Sequence, residues 1–337
     1  MLLMDSVFIN NGGGLVLLKY LVAYLESEYQ DVFYLLDRRT EDYFKHIPCS
    51  RKKYVNNSLI ERHFFYQENR KKIKQVICFG NLPPTINLNA KVLVYFHQLL
   101  FLQIPENFSL KNKLVYSLKQ CILNFFKNNA DTWLVQSESV KFKFSKKYLH
   151  DQTKSVIKLP FYPPLNFSNN NISRAKNSFL YVSNSSPHKN HYKLIEAFCL
   201  AYDQLKKGYL TVTVPNSAEE LCEFINKKND LGYPIKNVGF IDREKLTELY
   251  LSHDYFIFPS LAESFGLGLA EAIDGGCKII ASDLEYTYEV CRPSLTFDPT
   301  STNSIRNAIL IAVENDLPHS KKLIENDLSK IKQLLAD

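Results

Sequence analysis

Two hydrophobic rhythms alternate along this chain. Short, nearly unbroken apolar runs rich in Val, Ile and aromatic residues occur at Ser6–Ile9, Val32–Leu36, Gln75–Gly80, Lys91–Phe96, Thr132–Gln136 and Ser155–Leu159. Runs of that length and composition predict short strands, many buried on both faces. Between them lie stretches with apolar residues every three or four positions, clearest at Leu110–Asn128 and Ser137–Tyr148, and these predict helices. The alternation is that of a mostly parallel sheet covered by helices.

The pattern lapses over Leu159–Ser178, which is rich in Pro, Asn and Ser and reads as a crossover between domains. It then restarts, with strands predicted at Phe179–Ser183, Leu210–Val214, Asn237–Phe240, Tyr255–Ser260, Cys277–Ser282 and Ser294–Phe297. Leu194, Ile195, Phe198, Ala201 and Leu205 share one helical face. The last stretch, Ile305–Leu335, reads as amphipathic helix that returns to the first domain. A chain of 337 residues exceeds the roughly 250–300 at which single cores stop growing, so two α/β domains are expected, over residues 1–165 and 175–337. Open parallel sheets bind ligands at the C-terminal ends of their strands, so two of them facing a central cleft would offer one site from two edges.

Charge changes this picture in one respect. Residues 1–160 carry 23 Lys and Arg against 13 Asp and Glu, whereas residues 161–337 carry 18 against 22. The basic first half suits an anionic membrane surface or phosphorylated substrates. It carries no nucleic-acid-binding motif, so no nucleic-acid partner is expected. Solvated helix faces would produce the same imbalance. The seven cysteines form no CxxC and stand at no zinc-ligand spacing, so reduced thiols and no resident metal are expected. The start, MLLMDSVFIN, lacks a basic leader, and the apolar stretch Val92–Ile104 is interrupted by His97, Gln98 and Gln103. A cytoplasmic protein, or one peripheral on the inner face of the membrane, is expected.

Four segments carry candidate chemistry, each at the predicted end of a strand. In PSLAESFGLGLAEAIDGG, Glu263 lies in a loop and Glu271 beyond the first turn of the following helix. The backbone N–H groups at Phe265, Gly266 and Leu267 open that helix without intrahelical partners and favour anionic or hydroxyl-rich ligands. Carboxylates accept hydrogen bonds, so hydroxyls are natural partners for Glu263 and Glu271. In SNSSPHKN, Lys189 stands at the mouth of a helix, where an ammonium can hold phosphate. In FINNGGGLV, Gly12–Gly14 allow close approach of a phosphate or sugar, though the G-x-G-x-x-G spacing of dinucleotide loops is absent. In VYFHQ, His97 follows a strand and can hydrogen-bond a substrate or carry a proton. Taken singly, each segment is also an ordinary strand–turn–helix; together they suit nucleotide-dependent group transfer.

These residues resemble a known family. FPSLAESFGLGLAEAIDGGCKIIASDLEYTYEV, PHKNHYKLIEAF and KNVGFIDREKLTELYLSHDYFIFPS are similar to the signature segments of retaining glycosyltransferases of family 4, which have the two-Rossmann-domain GT-B architecture. NNGGG, YFHQ and FDPTSTNSIRNAI fit the same pattern. The resemblance implies that Lys189 neutralises the donor diphosphate and that Glu271 holds the ribose hydroxyls. Glu263 then holds a donor-sugar hydroxyl, with the backbone at Phe265–Leu267 beside it. Gly13 and Gly14 would lie against the diphosphate or sugar, and His97 near the reacting centre. Many relatives carry an Arg about five residues before the lysine; here that place is about Asn184, and His188 is a candidate helper. The implied reaction moves a sugar from a UDP- or GDP-sugar to a glycan or lipid-linked acceptor of lipopolysaccharide, O-antigen or capsule, with no cofactor or metal. A sugar-nucleotide epimerase of the same fold, an NAD-dependent oxidoreductase and a non-catalytic basic interaction protein are the alternatives.

Overall fold

The computed structural model describes residues 1–104, 109–151, 155–167 and 172–336. The middle of the Pro- and Asn-rich stretch, residues 168–171, lies outside them. The chain divides into two compact units, Met1–Pro163 with Glu325–Asp337, and Pro164–Ile324.

The first unit is built on seven parallel strands: β1 (Leu2–Asp5), β2 (Val32–Asp37), β3 (Lys52–Val55), β4 (Gln75–Cys78), β5 (Lys91–Phe96), β6 (Thr132–Val135) and β7 (Val156–Lys158). Their order in the sheet is β3-β2-β1-β4-β5-β6-β7. The longer helices of the unit are α1 (Gly12–Glu28), α2 (Leu59–Asn69), α3 (Leu110–Phe126) and α4 (Glu138–Tyr148). Leu3, Val76, Val94, Phe96, Trp133 and Val135 are buried within one core with Phe65, Tyr66 and Phe144 from the helices. Strand order reverses between β1 and β4, so the loops leaving these neighbours diverge and open a crevice at the sheet's C-terminal edge.

Predicted strand Ser6–Ile9 is instead the turn that follows β1. Asp5, buried at the strand's end, accepts from Val7 N at 3.1 Å, and Asp37 Oδ2 accepts from Phe8 N at 3.2 Å. Phe8 adopts φ +84°, a conformation that no strand continues through. Asp5 Oδ2 also takes hydrogen bonds from Arg62 Nε at 2.7 Å and Tyr66 OH at 2.6 Å. Arg62 then donates to the carbonyls of Leu82 and Pro83, both at 2.8 Å. One buried ion pair thus fixes the turn after β1 and the loop after β4. The short β3, KKYV, was not expected; at a sheet edge its lysines reach solvent, and the apolar run that marks interior strands is missing.

The second unit has six parallel strands in the order β10-β9-β8-β11-β12-β14: β8 (Ala175–Tyr181), β9 (Tyr209–Val212), β10 (Ile235–Asn237), β11 (His253–Phe258), β12 (Lys278–Ser282) and β14 (Leu295–Phe297). A small antiparallel pair, β13 (Cys291–Arg292) and β15 (Lys321–Lys322), lies apart from it. Helices α5 (His191–Leu205), α6 (Glu219–Asp230), α7 (Leu246–Ser252), α8 (Leu267–Asp274), α9 (Glu285–Val290) and α10 (Thr302–Glu314) complete the unit. Here the order reverses between β8 and β11. The single long helix predicted over Ile305–Leu335 is broken: α10 ends at Glu314, before Leu317–Pro318, because proline cannot continue a helix. A separate short helix, α11 (Lys330–Ala336), packs on the first unit, burying Leu328, Ile331 and Leu335.

Candidate active site

In the second unit the predicted residues gather where the strand order reverses. The turn Pro187–Lys189 follows β8, and the loop holding Glu263 follows β11, its hydrogen-bonded neighbour. Leu261 N donates to His188 O at 2.8 Å and stitches the two loops together. Asn190, at φ +63°, donates from its amide to Pro259 O and Pro299 O, at 3.2 and 2.8 Å. So held, Lys189 Nζ lies 2.5 Å from Glu263 Oε1, with the two side chains only 14% and 11% exposed. Ser260 Oγ donates to the same carboxylate oxygen, and Lys189 Nζ lies 5.9 Å above the Phe258 ring. The helix does not start at Lys189: a single tight turn ends at Asn190, and α5 begins at His191.

Gly266 caps α8 at φ +72°, a backbone state that disfavours any side chain. Leu267 is the first residue of that helix, and Phe265 is buried before it. Gly268 lets the helix approach the sheet; a Cβ there would stand 3.2 Å from the Phe256 ring. Glu271, in the next turn, is buried rather than on a wet helix face. Its Oε1 accepts from Arg243 Nη2 at 2.6 Å and Nε at 3.0 Å, and its Oε2 accepts from Tyr250 OH at 3.1 Å. Burial raises the Glu271 pKa and the Arg243 guanidinium opposes the rise. Partial desolvation, then the Lys189 ammonium, lower the His188 pKa, so its imidazole is uncharged at neutral pH. Asn184 sits at the place of the missing arginine, exposed, its Oδ1 accepting from Ser186 N at 3.0 Å.

The first unit has a matching group. Gly12–Gly14 open α1 beyond β1, and His97 follows β5 at the same edge. Gly14 lies against His97: a Cβ at Gly14 would come 3.3 Å from His97 Cε1, whereas one at Gly13 would meet nothing within 4 Å. Asn81, just past β4 at φ +62°, accepts from His97 N at 2.7 Å. His97 Nε2 lies 3.0 Å from Phe79 O and the ring stacks on Phe79 at 4.8 Å. A carbonyl only accepts, so Nε2 carries the proton and Nδ1 is left as the accepting nitrogen. Burial pushes the imidazole pKa down to about 4, which keeps His97 neutral at pH 7. Such a ring suits hydrogen bonding to a hydroxyl better than storing a proton.

Residues 164–329 match the profile of the family described as "Glycosyl transferases group 1". The matched segment takes in the whole of the second unit, Pro164–Ile324, and just under half of the chain. A relative, "O-antigen chain mannosyltransferase B" of Escherichia coli, is 27% identical over 141 residues, a match spanning 41% of this chain and 37% of that protein. A glycosyltransferase structure from Rickettsia africae aligns with a TM-score of 0.68 at 16% identity, over 93% of this chain and 88% of that one. Anabaena HepE, solved in complex with UDP and glucose, aligns at 0.65 and 15%, over 94% and 90%. The two Rossmann-like sheets are those of the GT-B fold.

Reading the sequence placed Lys189 and Glu263 in loops at strand ends, where the structure has them, without indicating that they pair. It missed Arg243, Tyr250 and Ser260, the groups that hold the two carboxylates. Arg243 lies 28 residues before Glu271, and the spacing carries no signal. Arg243 opens the short turn Arg243–Lys245 that leads into α7, and nothing in the sequence reveals the direction of its guanidinium.

Proposed function

We propose that this glycosyltransferase moves a sugar from a nucleoside-diphosphate sugar to a glycan or lipid-linked acceptor of a bacterial surface polysaccharide, retaining the anomeric configuration. The Lys189–Glu263 pair carries the reading. Taking an ammonium and a carboxylate out of water costs free energy that their mutual attraction returns only in part, so a ligand that offers each a partner can take the place of the pair. The donor diphosphate would take Glu263's place beside Lys189, and Glu263, released, would accept from a sugar hydroxyl. As the bond between the sugar and the diphosphate breaks, charge grows on the leaving oxygen, where Lys189 and the N–H groups opening α8 would stabilise it. The buried Glu271 would take the ribose hydroxyls, and neutral His97 would orient a sugar hydroxyl through Nδ1.

The O-antigen mannosyltransferase relative supports the surface-polysaccharide setting, and HepE, solved with UDP, supports a nucleoside diphosphate as ligand. In that setting the protein would work at the cytoplasmic face of the membrane. A thermal-shift panel of UDP- and GDP-sugars tests the donor class, because a ligand of the native state raises its melting temperature. One sugar nucleotide should stand out, and its consumption should require an acceptor. Conversion of the donor with no acceptor present would point to an epimerase instead; no shift with any sugar nucleotide would remove the reading.

A further inference from the structure

Helix α3 carries two apolar faces, and only one of them is used. At about 100° per residue, Tyr116, Gln120 and Leu123 share one side. Leu123 is fully buried, and Gln120 Nε2 donates to Leu100 O at 3.0 Å. Leu110, Leu114, Leu118, Cys121 and Phe125 share the opposite side. The large ones are wide open to solvent: Leu110 86%, Leu114 73%, Leu118 61% and Phe125 79% exposed. Scattered exposed leucines are ordinary, but a continuous stripe along four turns of one helix marks an interaction surface.

The charge around the stripe says what covers it. The helix has no acidic residue, and Lys111, Lys113 and Lys119 lie within it. Lys127, just after it, donates to Tyr148 O at 2.6 Å and so ties it to the end of α4. That neighbour carries Lys141, Lys143, Lys146 and Lys147 against one acidic residue, Glu138, and Lys146 Nζ lies 6.0 Å above the ring of Phe142, itself 62% exposed. A second copy of the chain would bring two lysine rims together at a cost. An anionic bilayer meets both needs, with acyl chains for the leucines and phosphates for the lysines. No helix among the described residues is long and apolar enough to cross a membrane, so α3 would lie along the surface.

We propose that α3 is an interfacial helix that beds Leu114, Leu118 and Phe125 into the headgroup boundary of an anionic bilayer, with Lys111 and Lys113 against lipid phosphates. The surface stands without the sugar-transfer reading; where that reading holds, it delivers the first unit to a lipid-linked acceptor.

The test is flotation of the full-length protein with phosphatidylcholine vesicles, with and without phosphatidylglycerol, in the absence of any donor. The wild type should float with anionic vesicles at low salt, fail to float with neutral ones, and detach as salt rises. The double variant Leu118→Ser, Phe125→Ser should bind on the order of a hundredfold more weakly, because it removes two buried apolar groups. A second variant, Lys111→Gln with Lys113→Gln, should lose about fivefold per lysine. Both variants should keep the wild-type melting temperature, since the altered side chains are exposed. An environment-sensitive fluorophore on Cys121, in a Cys49→Ser background, should shift to the blue on anionic vesicles only. Absence of wild-type flotation at low salt, or variants that float like wild type, would overturn the proposal. So would a wild-type dimer that the serine variant dissociates. A wild type that floats but shows no donor-induced thermal shift would count against sugar transfer and leave this surface standing.

Discussion

At the scale of single residues, the site depends on which groups are charged. His191 opens α5, beside the pair formed by Lys189 and Glu263. It is almost wholly buried, its ring packs at 4.8 Å on Tyr181, and its Nε2 has no hydrogen-bond partner among the described residues. Burial, then the Lys189 ammonium, push its pKa down to about 4. An unfolded histidine titrates near 6.5. Between those values the unfolded chain binds the extra proton, so stability is complete above about pH 7 and is lost as pH falls. The loss from this one group is about 2 kcal/mol by pH 5. Urea midpoints at pH 7 and pH 5 should therefore separate in the wild type, and the separation should shrink in His191→Phe, which keeps the ring contact without a titrating nitrogen. An equal separation in the variant would show that other groups set the acid limb.

At the scale of elements, the two sheets bring loops together at the points where strand order reverses, and small residues let them meet. Gly80, two residues past β4, has no room to spare: a Cβ there would overlap Val7 O, in the backbone of the turn after β1. Gly80→Ala should cost about 3 kcal/mol or more in chemical denaturation, because neither backbone can move without disturbing the buried Asp5–Arg62 pair. A cost under 1 kcal/mol would mean that the turn is not fixed as described. Elements of this kind were legible where their own residues determine them. Lys91–Phe96 is a strand to the residue, since a β-branched and aromatic run of six has no competing use. The helix at Leu110–Asn128 was likewise correct, but its spacing could not tell which apolar face would be buried. Ser6–Ile9 misled because its apolar residues pack from a turn held by two aspartates. For the same reason the Lys189 and Glu263 loops were visible while their salt bridge was not, since contacts between distant segments are set by the sheet's register.

At the scale of the whole molecule, the chain returns at its end to the unit where it began. Asn326 Nδ2 donates to Tyr162 O at 3.0 Å, Lys332 pairs with Glu28 at 2.8 Å, and Leu328, Ile331 and Leu335 are buried in the first unit. Removing Glu325–Asp337 should destabilise that unit by about 5 kcal/mol, from three large aliphatic side chains at roughly 1.5–3 kcal/mol each. The second unit should melt as before, and a two-transition scan would separate them; a first transition left in place would refute the packing. The central claim is that Lys189, Glu263 and Glu271 together hold one nucleoside-diphosphate sugar. Calorimetric titration of that donor into the wild type, Lys189→Ala and Glu271→Gln tests it most directly. Tight binding by the folded wild type should fall about tenfold or more in each variant, as loss of charge-assisted hydrogen bonds requires. Wild-type affinity in both folded variants would contradict the account.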